Sequence, residues 1–299
     1  MSETVMITGG TGFIGRHLCA DLLAGGWQVE VLTRDIDRAR RVLPQAAGAV
    51  SRPEDARSPA AIINLAGENL SSGRWSTARK RELRQSRLRV TQNINHYIAN
   101  AAQRPRVLIS GSAIGYYGAR GDEQITEEAA PGDEFQAQLV ADWEATALQA
   151  EQHGVRVCLV RTGIVLGRDG GALASMLTPF KLGLGGPFGN GRQYMAWIHL
   201  HDEVRAIRFC LENETCQGAY NLTAPQPVTN REFAHILAQT LNRPAWLSAP
   251  APLLKLALGE LAQLALTGQR VLPERLLEAG FKFEYEHLKP ALRALLHKA

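Results

Sequence analysis

The chain has 299 residues, 45% of them hydrophobic and 21% charged, with a formal net charge of +4. It can bury a large core, yet its longest apolar run, residues 253–266, is too short for a bilayer and is broken by Lys255, Glu260 and Gln263. Cys19, Cys158, Cys210 and Cys216 lack the Cys-x-x-Cys spacing of a zinc site, and with no aromatic platform or known motif among the basic residues no nucleic-acid partner is expected.

The first predicted strand begins at about residue 4, so no leader and no membrane anchor are expected, and the cysteine usage suits a reducing cytoplasm. After Val5, Met6 and Ile7 comes Thr8-Gly9-Gly10-Thr11-Gly12-Phe13-Ile14-Gly15, and then a helical stretch over 16–24. Gly9 would make the tight turn, Gly12 would let backbone approach a diphosphate, and Gly15 would let the helix lie close on the strand. The free amides and the dipole of that helix would hold the phosphates, which makes this a dinucleotide site. The next strand, 28–32, ends in Thr33 and Arg34, where a site for an unphosphorylated ribose would carry an acid. A guanidinium there favours a 2′-phosphate, so NADP(H) is the expected cofactor. Asp35 would cap the helix around 37–42.

A buried strand over 61–67 ends in Leu65, Ala66 and Gly67, small enough for a nucleotide to pass above, with Asn64 as a strand-end hydrogen bonder. The helix from about 77 to 101 carries Arg79, Lys80, Arg81, Arg84, Arg87 and Arg89, read as a solvated face. The strand over 106–110 leads into Gly111-Ser112-Ala113-Ile114-Gly115-Tyr116-Tyr117-Gly118. Ligands of open parallel sheets lie beyond the carboxyl ends of the strands, so Ser112, Tyr116 and Tyr117 are the candidate catalytic hydroxyls, with Ser110 beside the cofactor.

The strand over 155–163 puts Arg161 at a strand end, also toward the cofactor. The glycine-rich stretch 182–193 reads as a mobile substrate loop. Arg192, Gln193, Trp197 and His199, with Glu68 from the earlier loop, are the expected substrate contacts. His199, His201 and Asp202 have no supporting third ligand cluster, so no metal is expected, and Asp202 reads as the cap of a helix from Glu203. Residues 253–266 read as a packed helix, and Phe281-Lys282-Phe283 as a short return strand. The expected fold is α/β: a Rossmann-type doubly wound parallel sheet over 1–225, with parts of 165–200 on the substrate side, and a smaller, mainly helical lobe over 226–299.

Residues 8–15, 62–67, 107–112, Arg161-Thr162-Gly163, Trp197 to Asp202 and Tyr220-Asn221 together resemble the extended short-chain dehydrogenase/reductases. Gly73-Arg74-Trp75, the Gly-Tyr-Tyr-Gly turn, 182–193 and 272–281 resemble its atypical branch, the YfcH-type "epimerase family" proteins. The resemblance implies an oxidoreductase or epimerase that binds NADP(H) through Gly9, Thr11, Gly12, Phe13, Ile14 and Gly15, and a small, anionic or nucleotide-linked substrate under a closing lobe. A homodimer is a further expectation. Ser112 matches the family serine, but the region of its Tyr-x-x-x-Lys pair reads Glu134-Phe135-Gln136-Ala137-Gln138-Leu139-Val140. Neither Phe135 nor Gln136 is a base, and neither Leu139 nor Val140 carries charge. Tyr116 or Tyr117 would have to stand in, while Glu134 and Glu144 read as helix-surface acids. A cofactor-binding regulator without turnover is the alternative.

Overall fold

Parallel strands flanked by helices are buried on both faces, and short runs of Val, Ile and Leu supply them here. A computed structural model describes residues 2–70 and 72–297. Seven strands form one all-parallel sheet: β1 (Thr4–Thr8), β2 (Gln28–Leu32), β3 (Gly48–Val50), β4 (Ala61–Asn64), β5 (Val107–Ala113), β7 (Arg156–Thr162) and β11 (Gly218–Leu222). Their order is β3-β2-β1-β4-β5-β7-β11. The chain runs outward from β1 to β3, then returns to β4 on the other side of β1. That reversal opens a crevice beyond the ends of β1 and β4, at Thr8 and Asn64.

Alternate residues of β1 enter opposite cores. Val5 and Ile7 join Leu18 and Leu22 of α1 (Phe13–Ala24) and Val204 and Ile207 of α6 (Leu200–Glu212). Met6 joins Ile94 and Ile98 of α3 (Thr77–Asn100) and Ala147 of α4 (Phe135–Leu148). Between β2 and β3 lies α2 (Ile36–Val42), capped by Asp35, whose carboxylate accepts from the Arg38 amide at 2.8 Å.

A second core gathers α5 (Gly171–Lys181), α7 (Asn230–Thr240) and α11 (Leu288–Leu296) around Trp197, which is 0% exposed. Two small sheets knit it together, β8 (Ile164–Leu166) with β10 (Trp197–His199) and β9 (Tyr194–Met195) with β12 (Val228–Thr229), while a third, β6 (Gln124–Ile125) with β13 (Arg270–Val271), buries Ile125 and Val271 in a separate cluster with Ile114 and Tyr117. The carboxy-terminal stretch is shared between the cores. Leu276 in α10 (Glu274–Glu278), together with Phe281 and Phe283, buries against the main one.

Four local expectations are corrected. Residues 253–266 are not one packed helix: Gly259, at φ +61, separates α8 (Ala251–Leu258) from a 3-10 turn and α9 (Gln263–Leu266), and Leu253 and Leu256 stand exposed. Residues 281–283 form no strand, because their aromatic rings pack edge to face into the core. Helix α6 begins at Leu200, with His199 as its cap; its Nδ1 accepts from the His201 amide at 3.1 Å. Asp202 lies within the first turn and accepts from the Glu284 and Tyr285 amides at 3.0 and 2.8 Å. The basic run of α3 is largely engaged within the molecule. Arg79 binds Glu82, Lys80 pairs with Glu260, Arg84 pairs with Asp142, and Arg87 is buried against the Glu68 carbonyl.

Candidate functional site

The cradle at the amino terminus is built from backbone. Gly9 sits at φ +71, and a Cβ there would stand 2.6 Å from the Leu65 carbonyl oxygen, so only glycine closes this turn over the loop after β4. A Cβ on Gly15 would meet the Gly9 oxygen at 2.2 Å. What Gly15 allows is thus close contact with the turn itself rather than with the strand. Gly12 is the N-cap of α1, no side chain caps the helix, and its first turn holds no acid. Free amides at a positive helix end are left facing the crevice. The Phe13 ring packs over Gly167, Gly170 and Gly171, leaving its amide as its polar contribution, beside those of Thr11 and Ile14. At the end of β2 the Thr33 hydroxyl accepts from the Asp35 amide at 3.2 Å and Asp35 caps α2, while Arg34 is exposed and makes no ion pair among the described residues. The cradle fits a dinucleotide: amides for a diphosphate and an unengaged guanidinium at the ribose end.

Beyond β5 the side chains tell a different story. Arg161 of β7 donates from Nε and Nη2 to the two carboxylate oxygens of Glu144 at 2.8 and 2.9 Å, and both side chains are buried. The Ser112 hydroxyl donates to the same carboxylate at 2.5 Å. Tyr117 donates to Asn221 at 2.6 Å and accepts from Arg161 at 2.9 Å. Burial pushes the Tyr117 phenol up to about 12. Burial acts to lower the Arg161 value, but Glu144 and Tyr117 outweigh it and hold the guanidinium charged.

This network places several of the expected site residues. Ser112 and Tyr117, expected as catalytic hydroxyls, are buried, with Ser112 bonded to Glu144 and Tyr117 to Asn221 and Arg161. Glu144 is the buried counter-ion of Arg161, not a surface acid. Arg161, expected toward the cofactor, is 4% exposed and engaged with Glu144 and Tyr117, and Ser110, 0% exposed, donates to the Gly111 carbonyl at 3.3 Å. Of the three catalytic candidates only Tyr116 keeps its hydroxyl free of a described hydrogen bond; it is half-buried, with its ring centroid 3.7 Å from the Arg161 guanidinium carbon.

Elsewhere Gln136 lines a cavity of about 640 Å³. Its wall combines Glu134 and Gln136 from the start of α4, Phe188 and Asn190 from the glycine-rich loop, and Ala251, Lys255, Gln263 and Leu266 from α8 and α9. Arg74 holds α8 in place by donating to the carbonyls of Leu256 and Ala257 at 2.6 to 3.1 Å. Gln136 is 7% exposed, and its carbonyl oxygen has no partner. Such an acceptor costs roughly 1–3 kcal/mol when left empty. Glu134 accepts from the Ala119 amide at 3.0 Å with one oxygen, and the other is likewise unpartnered.

The expected substrate contacts scatter. Gln193 lines the cavity, but its amide donates to the Phe188 and Ala265 carbonyls, so it shapes the wall. Trp197 is corrected to a core residue, its indole donating to the Gln226 carbonyl at 3.1 Å. His199 is corrected too: it is buried, stacked 3.9 Å from the Tyr285 ring, and burial lowers its ring to about 4. Arg192 and Glu68 lie outside the wall. Sequence reading missed Gln136, because it weighed that amide as a base and not as a binding group, and it missed α8 and α9 because nothing local marks them as a wall. Among the described residues no group of three or more His, Cys, Asp or Glu could hold a metal, and no helix is long and apolar enough to cross a membrane.

Residues 5–223 match the NAD dependent epimerase/dehydratase family, and residues 249–295 match a domain of unknown function, DUF1731. The chain is 43% identical over 302 residues to the Arabidopsis thaliana "Epimerase family protein SDR39U1 homolog, chloroplastic", covering 98% of this chain and 86% of that one. It is 36% identical to Epimerase family protein YfhF of Bacillus subtilis, covering 98% and 97%. A crystal structure of human epimerase family protein SDR39U1 with NADPH superposes with a TM-score of 0.89 at 33% identity, covering 99% and 100% of the two chains.

Proposed function

The chain belongs to the NAD dependent epimerase/dehydratase family, with an extended short-chain dehydrogenase/reductase fold, and on that premise we propose that it is an NADP(H)-binding oxidoreductase or epimerase acting on a small molecule. The observation that carries this reading is the uncapped start of α1 facing the crevice, with the unengaged Arg34 at the end of β2. The NADPH of the human relative is in keeping with it. The glycine-turn amides would hold the diphosphate and Arg34 the 2′-phosphate. Four free, buried cysteines suit a reducing compartment such as the cytoplasm.

When bound, the dinucleotide supplies hydride exchange at its nicotinamide. The chain itself must then move one proton at the substrate oxygen, and Tyr116 is the hydroxyl left for it. With Ser112, Tyr117 and Arg161 engaged and no lysine in α4, the familiar arrangement is missing, so Tyr116, its ring stacked on the Arg161 guanidinium, is the group that would exchange the proton. That engagement also favours the second reading, a nucleotide-binding protein without turnover.

Titrating NADPH fluorescence against the purified protein tests binding, and NADPH oxidation across a panel of ketones and aldehydes tests turnover. We expect Tyr116→Phe to bind NADPH as the natural chain does and to lose turnover by about 10²–10⁴-fold. Binding without turnover in the natural chain establishes the second reading; no binding removes both.

A further inference from the structure

We infer that the surface carrying Trp246, Leu247, Leu182 and Leu184 docks the protein peripherally on a lipid bilayer bearing anionic headgroups. Two links of the chain lie side by side there, the one that follows α5 and the one that joins α7 to α8. Arg243 Nε donates to the Lys181 carbonyl at 2.8 Å, the Ala249 amide donates to the Pro187 carbonyl at 2.9 Å, and a Cβ on Gly186 would lie 1.7 Å from the Leu247 carbonyl oxygen. Leu182, Leu184 and Leu247 are between 54 and 68% exposed, and Trp246 is 90% exposed. The second link leads into α8, which has Lys255 as its single polar residue and buries none of its residues; Leu253 and Leu256 stand exposed one turn apart on it. Clustered apolar side chains of this size are rare on the free surface of a protein and mark a surface that meets another body.

What that body is follows from exposure and charge. The Trp246 indole stands almost wholly clear of its surroundings, so no groove of this chain shapes a specific partner around it, and a fluid hydrocarbon boundary needs none. An indole also joins an apolar body to one N–H donor, which suits the level of lipid headgroups. Residues 170–201 and 233–259, which include both links and α8, contain no Asp or Glu, whereas they carry Lys181, Arg192, Arg243 and Lys255. Lys181 and Arg243 are exposed, and their backbones meet beside the apolar cluster. Such a surface attracts an anionic bilayer and repels the same face of a second copy of this chain. Peripheral contact needs no membrane-crossing helix, and the described residues hold none.

The test is flotation of the full chain with vesicles of phosphatidylcholine alone and of phosphatidylcholine mixed with phosphatidylglycerol, at low and high salt. Binding to the mixed vesicles at low salt is expected to exceed binding to the neutral ones by about tenfold or more and to fall at high salt. The other four tryptophans, Trp27, Trp75, Trp143 and Trp197, are buried, so a change in emission on binding reports Trp246, and it should shift to the blue. Trp246→Phe should still float and lose the shift. Trp246→Ser paired with Leu247→Ser, and Lys181→Gln paired with Arg243→Gln, should each weaken binding by about tenfold or more. These positions are exposed, so the melting temperature and the NADPH titration of each variant should match those of the natural chain and establish that it is folded. Failure of the natural chain to float, equal binding to neutral and anionic vesicles, a blue shift that survives Trp246→Phe, or undiminished binding of either double variant overturns the inference. So does light scattering that shows, in place of vesicle binding, a dimer lost in the double serine variant.

Discussion

The amino-terminal cradle and the buried cluster beneath the β5 turn sit at neighbouring strand ends of one sheet but are made of different material. The cradle is main chain from a contiguous segment, with glycines clearing the space and one exposed arginine at its edge. The cluster is side chains from β5, α4, β7 and β11, all buried and each occupied by another. The contrast teaches that polar residues at a strand end are not thereby unengaged: Arg161, Ser112 and Tyr117 are held by one another and by Glu144 and Asn221.

Breaking the cluster should therefore unfold, and breaking the cradle should unbind. The largest effect is expected from Glu144→Ala, which leaves Arg161 buried without its counter-ion and should cost about 3–5 kcal/mol in denaturant unfolding. Retained stability would show that water reaches Arg161 and that the cluster is not closed.

Next comes a pH effect from the same side of the molecule. Burial raises the Glu203 carboxyl from 4.5 to about 8, with only the Thr162 hydroxyl, at 2.8 Å, opposing it. The native state then holds a proton that the unfolded chain has released, so stability falls as pH rises from about 4.5 toward 8. His199, lowered to about 4 from 6.5, acts in the other direction: its contribution is lost as pH falls from 6.5 toward 4. Glu203 and His199 oppose each other below pH 6.5, and above it the Cys216 thiol, lowered to about 6 by its hydrogen bond with Cys210, opposes Glu203 in turn. The Glu203 share is about 2 kcal/mol between pH 6.5 and 8, read in urea titrations at each pH as the amount by which the natural chain loses stability relative to Glu203→Gln.

The cradle should respond in binding instead. Arg34→Asp is expected to weaken NADPH about tenfold or more while leaving the melting temperature of the free protein unchanged and bringing NADH level or ahead. An unaltered preference would move the 2′-phosphate contact elsewhere. The smallest effect sharpens that result: Asp35→Ala removes the cap of α2, costing about 1 kcal/mol in thermal unfolding, and should leave the NADPH-to-NADH ratio as it was, since Asp35 is turned onto the Arg38 amide.

The strands of the main sheet and the cradle were legible because their signals are local. A run such as Ala61 to Asn64, buried throughout, reads as a parallel strand, and a glycine turn between strand and helix states its own geometry. The Asp35 cap was legible for the same reason. Residues 253–266 and 281–283 were misread because apolarity alone does not say whether a segment packs, breaks at a left-handed glycine or lends only its rings to a core.

From the sequence came whatever depends on neighbours a few residues apart: the order of elements, the glycine turn between β1 and α1, the arginine just after β2 and the absence of a lysine in α4. Tertiary structure alone decided which hydroxyls stay free, because Ser112 meets Glu144 across 32 positions and Tyr117 meets Asn221 across 104. It also decided that Gln136, unremarkable in the chain, lines a cavity whose other side arrives from α8 and α9. Hydrogen-bond partners and desolvation are properties of distance in space, and no pattern along the chain encodes them where the partners lie so far apart.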